Sequence, residues 1–153
     1  MGDVTLVGVF SIKVPVTDLP RSREWYERVL GYRVELEFPD DDGVVRGTGG
    51  HVRGVPGTFL ALRENPRAAE GMRGSDLCSL AVADRAAIDA WAARLDELDV
   101  PHGPVVDATV GWMLPFRDPD GIELHLYSVE RHGVDQSGRV GYGRAVDAAA
   151  PAG

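Results

Sequence analysis

The chain reads itself twice, and this repeat constrains its fold more than any other feature. "FSIKVPVTDLPRSREWYERVLGYRVE" begins at Phe10 and "LCSLAVADRAAIDAWAARLDELDVPHG" begins at Leu77. Aligning Asp18 with Asp84 places Val16 on Val82, Val14 on Leu80, Ile12 on Cys78 and Trp25 on Trp91. Each half is an alternating strand, an aspartate and an amphipathic helix. The aspartates stand where an acidic side chain satisfies the free N–H groups of a first helical turn. Pro20 suits that first turn, and Gly31 is a natural C-terminal stop. In the second helix Ile88, Trp91, Ala92, Leu95 and Leu98 keep helical spacing on one face. The two tryptophans, at equivalent positions, read as packing.

Strand-like pieces follow each helix: "YRVELEF", "DGVVRGT" and "GTFLALRE" in the first half, "ATVGWMLPFR" and "IELHLYS" in the second. The spacing predicts one domain over residues 1–131, made of modules at about 8–64 and 75–129 joined by a linker at 65–74. The segment 132–153 is poor in large apolar residues and reads as a flexible tail or one laid over the surface.

A strand–helix–strands unit covers one sheet face with its own helix and leaves the other bare. The helix-facing positions are apolar: Ile12, Val14 and Val16, then Leu60 and Leu62, then Cys78, Leu80 and Val82, then Ile122, Leu124 and Leu126. The opposite faces are mixed: Ser11, Lys13 and Pro15, then Phe59, Ala61 and Arg63, then Leu77, Ser79 and Ala81, then Glu123, His125 and Tyr127. A mixed face suits a small-molecule cavity or open water, and alternation alone does not choose between them.

The composition removes several partners. A net charge of −8 argues against nucleic acid and against anionic lipid, both of which need a basic surface. No apolar run approaches the roughly 18 residues of a membrane span. The start "MGDVTLVGVF" lacks the basic segment and apolar core of a signal peptide. Cys78 is the only cysteine, so no internal disulfide forms, and a cytoplasmic setting is expected.

"VPVTDLPRSREWYERVLGY" near the start and "FRDPDGIELHLYS" near the end together resemble the vicinal oxygen chelate superfamily, which includes glyoxalases, bleomycin-resistance proteins and extradiol dioxygenases. The resemblance covers roughly residues 8 to 129. It implies an α+β fold of paired βαβββ modules whose sheets form a cup, with Glu123, His125 and Tyr127 lining it. Fold alone does not imply function, because members range from enzymes to pure binding proteins. Metal-dependent members carry four ligands, and the matching positions here are Ser11, Ala61, Leu77 and His125. Only the last is a good ligand, and divalent catalytic sites need at least three. No metal and no cofactor are therefore expected.

His125 has two readings, a hydrogen-bonded structural histidine or a general base at the centre of the cup. Lys13, the chain's single lysine, is either a solvated strand charge or a cation for an enolate, phenolate or carboxylate. Glu123 is a second candidate base, or a structural partner of Lys13 or Arg63. Phe59 and Tyr127 read as cavity wall, and Trp112 as a stacking surface or core. His51, in "GTGGHVRGVPG", reads as part of a glycine-rich loop able to close the cup's mouth. Cys78 is expected to be buried and inert, and His102 and His132 to be solvated.

Ser11, Phe59, Ala61, Arg63, Leu77, Ser79, Trp112, Tyr127 and His51 are thus expected ligand-binding positions, with Lys13, Glu123 and His125 as catalytic candidates. Two function classes remain. One is a metal-free protein binding a small, partly apolar aromatic or polyketide-like compound, as in antibiotic binding or self-resistance. The other is a cofactor-independent isomerase, lyase or cyclase using His125 as base. Binding is the reading preferred, and a homodimer is expected.

Overall fold

The computed structural model describes residue 2 and residues 4–146. The first module runs β1 (Ser11–Val16), α1 (Leu19–Leu30), β2 (Arg33–Pro39), β3 (Val45–His51) and β4 (Phe59–Glu64). A short helix, α2 (Pro66–Met72), occupies most of the stretch read as linker. The second module runs β5 (Asp76–Val82), α3 (Arg85–Glu97), β6 (Val106–Asp107), β7 (Trp112–Arg117) and β8 (Glu123–Ser128). The first sheet has the order β1-β4-β3-β2 and the second β5-β8-β7-β6. The sequence repeat is therefore a repeat of topology, and the expected paired βαβββ architecture is borne out.

The helix boundaries follow from their capping residues. Asp18 accepts from Arg21 N–H at 3.0 Å and Asp84 accepts from Ala87 N–H at 2.8 Å. Pro20 lies in the first turn of α1, where a missing N–H costs nothing. Gly31 ends that helix at φ 66°, a left-handed conformation that favours glycine. Asn65 caps α2 by accepting from Ala68 N–H at 3.1 Å.

Contacts cluster into two compact units, Met1–Leu77 with Arg117–Glu123, and Cys78–Phe116 with Leu124–Gly153. In the first unit, α1 packs on the sheet through Leu19, Tyr26, Val29 and Leu30, which are buried with Val14, Val16, Leu60 and Leu62. In the second, Ile88, Leu95, Val100, Leu114, Phe116, Leu124 and Leu126 are buried. Each such aliphatic side chain contributes about 1.5–3 kcal/mol relative to exposure. The helix-facing reading holds for Val14, Val16, Leu60, Leu62, Ile122, Leu124 and Leu126, whereas Ile12, Cys78, Leu80 and Val82 are only half-buried.

The Asp-Pro-Asp-Gly turn belongs to the first unit. Asp118 Oδ1 accepts from the N–H groups of Asp120 and Ile122, at 2.9 and 3.0 Å. Asp120 accepts from Thr17 N–H at 3.1 Å and from Arg21 Nη2 at 3.0 Å. The two aspartates thus tie the turn to the strand–helix junction before α1.

Several expectations are corrected. Gly47–Gly50 is strand, not loop: β3 is an inner strand paired on both sides, and His51 closes it. The glycine at 50 is required there, because a Cβ would run into the backbone of Arg33 on β2. His102 is not solvated; its ring bonds Asp96 at 3.0 Å and the Gly103 carbonyl at 2.6 Å. His132 bonds the Ala108 carbonyl at 2.8 Å. The described part of the tail lies on the second unit, with Gln136 buried and Gly143 N–H donating to Thr109. Residues 147–153 of the expected tail lie outside the described residues.

Candidate functional site

The open face of the first sheet carries a cavity. β1 and β4 run parallel with Ser11 opposite Phe59, Lys13 opposite Ala61 and Pro15 opposite Arg63. β3 continues these rows with His51 beside Phe59, Gly49 beside Ala61 and Gly47 beside Arg63. The middle row is therefore Lys13, Ala61 and Gly49, two of which have almost no side chain. Bulk is missing there, and larger groups stand around the gap.

The cavity has a volume of about 380 Å³ and is lined by Phe10, Ser11, Lys13, Phe38, Gly47, Thr48, Phe59, Ala61, Leu62 and Arg63. That volume lies within the range of small-molecule sites. Phe10 and Phe59 approach with ring centroids 6.5 Å apart. The Phe59 ring lies across Gly49, where any Cβ would collide with it. Glycine at 49 thus lets the aromatic wall lie low and keeps the space above it open.

Five residues picked from sequence, Ser11, Lys13, Phe59, Ala61 and Arg63, meet at this one cavity. His51 is not among its lining residues. Its Nδ1 lies 2.8 Å from Glu35 Oε2, and its ring meets Phe59 edge-on at 5.2 Å. It stands beside the aromatic wall, as the register partner of Phe59.

Sequence reasoning missed Phe10, Phe38, Gly47, Thr48 and Leu62. Phe38 was accessible in principle, because it ends an alternating strand and pairs with Gly47. Phe10 precedes the first strand and carried no periodic signal.

The cavity's charges are unequal in their company. Arg63 Nη2 donates to Asp40 Oδ1 at 2.9 Å. Asp40 also accepts from Arg46 at 3.1 Å, and Arg46 binds Asp42 at 2.8 Å. The guanidinium groups hold the Asp40 carboxyl below its ordinary range, Arg63 foremost. Hydrogen bonds from Arg46 and the Val44 N–H hold Asp42 down at about 2.

The other expected residues lie on the second sheet. Leu77 and Ser79 are on β5, the first half-buried and the second exposed. Glu123, His125 and Tyr127 alternate as half-buried positions on β8 between buried Leu124, Leu126 and Ser128. The Tyr127 hydroxyl accepts from Val110 N–H at 3.2 Å and so anchors the turn before β7. The Trp112 ring meets His132 edge-on at 5.9 Å, with the Arg85 guanidinium 6.0 Å away over its face. Burial raises the Cys78 thiol above its ordinary pKa, which fits an unreactive cysteine, though the residue is half-buried rather than buried.

The family model of the Glyoxalase/Bleomycin resistance protein/Dioxygenase superfamily matches residues 8–126. The chain belongs to this superfamily. Superfamily folds among solved structures include TnmS3, an antibiotic binding protein from Streptomyces sp. CB03234, at 26% identity and TM-score 0.66, covering 82% of this chain and 98% of that one. A glyoxylase/bleomycin resistance protein/dioxygenase domain from Frankia sp. EAN1pec matches at 25% identity and TM-score 0.62, covering 81% and 98%. The fosfomycin resistance protein FosX from Listeria monocytogenes shares the fold at 14% identity and TM-score 0.63, covering 81% and 94%. No curated protein matches the chain in sequence.

The metal set of the superfamily's metal-dependent members does not fit this chain. At its positions Ser11 and Ala61 offer one hydroxyl between them in the cavity, and Leu77 offers nothing. Of the four positions only that of His125, half-buried on β8, carries a good ligand. No helix among the described residues is long and apolar enough to cross a membrane.

Proposed function

We propose that the protein binds a small, flat, partly apolar aromatic or polyketide-like compound in the cavity of the first sheet, without a metal, and sequesters it in the cytoplasm. The observation that carries this reading is the cavity itself: about 380 Å³, with aromatic walls from Phe10, Phe38 and Phe59 around a floor kept open by Ala61. Aromatic walls bind planar ligands by burial and offset stacking. The likeness to an antibiotic binding protein supports a role in antibiotic binding or self-resistance. The test is a panel of polycyclic aromatic antibiotics, scored by equilibrium dialysis and by mass spectrometry of the recovered compound. The reading expects saturable binding of at least one, weakened by Phe59→Ala, and recovery unchanged. Conversion of the compound would refute sequestration.

The half-buried place of His125 on β8 supports a second reading, a cofactor-independent isomerase, lyase or cyclase. An imidazole exchanges a proton near neutral pH and suits a general base. On this reading His125→Ala slows turnover by about 100-fold or more while affinity stays within a few-fold.

We also propose a homodimer. Val4, Leu6, Val7, Val9 and Phe10 form an exposed apolar run ahead of β1, a surface that suits association. Light scattering at micromolar concentration checks this; a clean monomer would refute it.

A further inference from the structure

Lys13 stands apart from every other charge at the cavity. Arg63 is neutralised by Asp40, and Arg46 by Asp40 and Asp42, so these four residues form a balanced network. Lys13 has no hydrogen bond or ion pair among the described residues. Its neighbours across the sheet are Ala61 and, beyond it, Gly49, neither of which carries a polar side chain. A chain of net charge −8 thus places its single lysine, without a counterion, at the rim of an aromatic-walled cavity.

We infer that the ligand is an aromatic acid, a flat ring system bearing an anionic oxygen group such as a carboxylate, sulfonate or phenolate, with that group held by Lys13 Nζ. The inference rests on the proposal that this cavity binds aromatic compounds, and it adds the ligand's charge. Rings of the ligand lie among Phe10, Phe38 and Phe59, where a charge would be desolvated without recompense. Lys13 lies on the same face and supplies a charge-assisted hydrogen bond, stronger than a neutral one. Lys13 is exposed, so its ammonium is hydrated before the ligand arrives, and the ligand's anionic group must replace that hydration. Arg63 cannot serve equally, because its Nη2 is already committed to Asp40.

The test compares two fluorescent probes of the same shape, anilinonaphthalene sulfonate and the neutral N-phenylnaphthylamine. Wild-type protein should bind both and prefer the sulfonate. Lys13→Met should lower the sulfonate-to-neutral affinity ratio about tenfold, the scale of one charge-assisted contact. Lys13→Arg should restore it, and added salt should reduce it. Asp40→Asn, which releases Arg63, should raise the ratio. If both probes bind, lose affinity together in Phe59→Ala, and show no ratio change in Lys13→Met, the charge assignment is wrong while the aromatic cavity stands. If neither probe shows binding sensitive to Phe59→Ala, the cavity reading fails and the charge assignment falls with it.

Discussion

The Tyr26 hydroxyl donates to Asp118 Oδ2 at 2.9 Å, joining the middle of α1 to a turn 92 positions later. Both side chains are buried. With the Asp120 bonds to Arg21 and Thr17, it makes the Asp-Pro-Asp-Gly turn a clasp on the first unit rather than a simple reversal. Tyr26→Phe should cost about 1–3 kcal/mol, because a buried carboxylate loses a donor. Burial raises the Asp118 carboxyl above the ordinary carboxylate range, against the lowering effect of the Tyr26 hydrogen bond. A raised acid favours the folded state most when protonated. Its contribution is therefore fully present below the unfolded pKa and is lost as pH rises through the folded pKa. Tyr26→Phe should widen that window upward. Urea unfolding across pH 3–7 checks both the cost and the sign; an unchanged profile would remove Asp118 as its origin.

The repeat, both aspartate caps, the Gly31 stop and the alternation of β8 were legible because each rests on local chemistry or on a period of two or 3.6. The central strand β3 was misread over Gly47–Gly50. Glycine normally weakens a strand, and here it is used because Arg33, Phe59 and Phe38 crowd the positions where side chains would stand. Five cavity residues were found from the parity of β1 and β4. The pairing of Arg63 with Asp40 was not, since nothing in sequence links side chains 23 positions apart, one on β4 and one in the turn after β2. His102 and His132 sit in irregular segments, where no periodicity reports burial.

Gly49→Val should empty the cavity of function while leaving the fold. The new side chain strikes the Phe59 ring and drives it into the space above Ala61. Overpacking of this kind costs roughly 1–3 kcal/mol. Far-ultraviolet circular dichroism should be preserved, and affinity for either naphthalene probe should fall about tenfold or more. Wild-type affinity in a folded Gly49→Val protein would mean that the probes bind elsewhere.

Metal content follows from Ser11, Ala61 and Leu77 at three of the superfamily's ligand positions. Elemental analysis of purified protein should find no stoichiometric zinc, nickel, iron or manganese, and chelators should leave probe affinity and thermal stability unchanged. Near one metal per chain, lost in His125→Ala, would contradict this and assign His125 to the ion.

The most direct measurement is an amide chemical-shift titration of isotope-labelled protein with anilinonaphthalene sulfonate. Binding in the first-sheet cavity predicts saturable shifts at Ser11, Lys13, Gly47, Phe59, Ala61 and Arg63, the residues that line it. Shifts confined to Leu77, Ser79 and Glu123–Tyr127, or no saturable shifts at all, would contradict it.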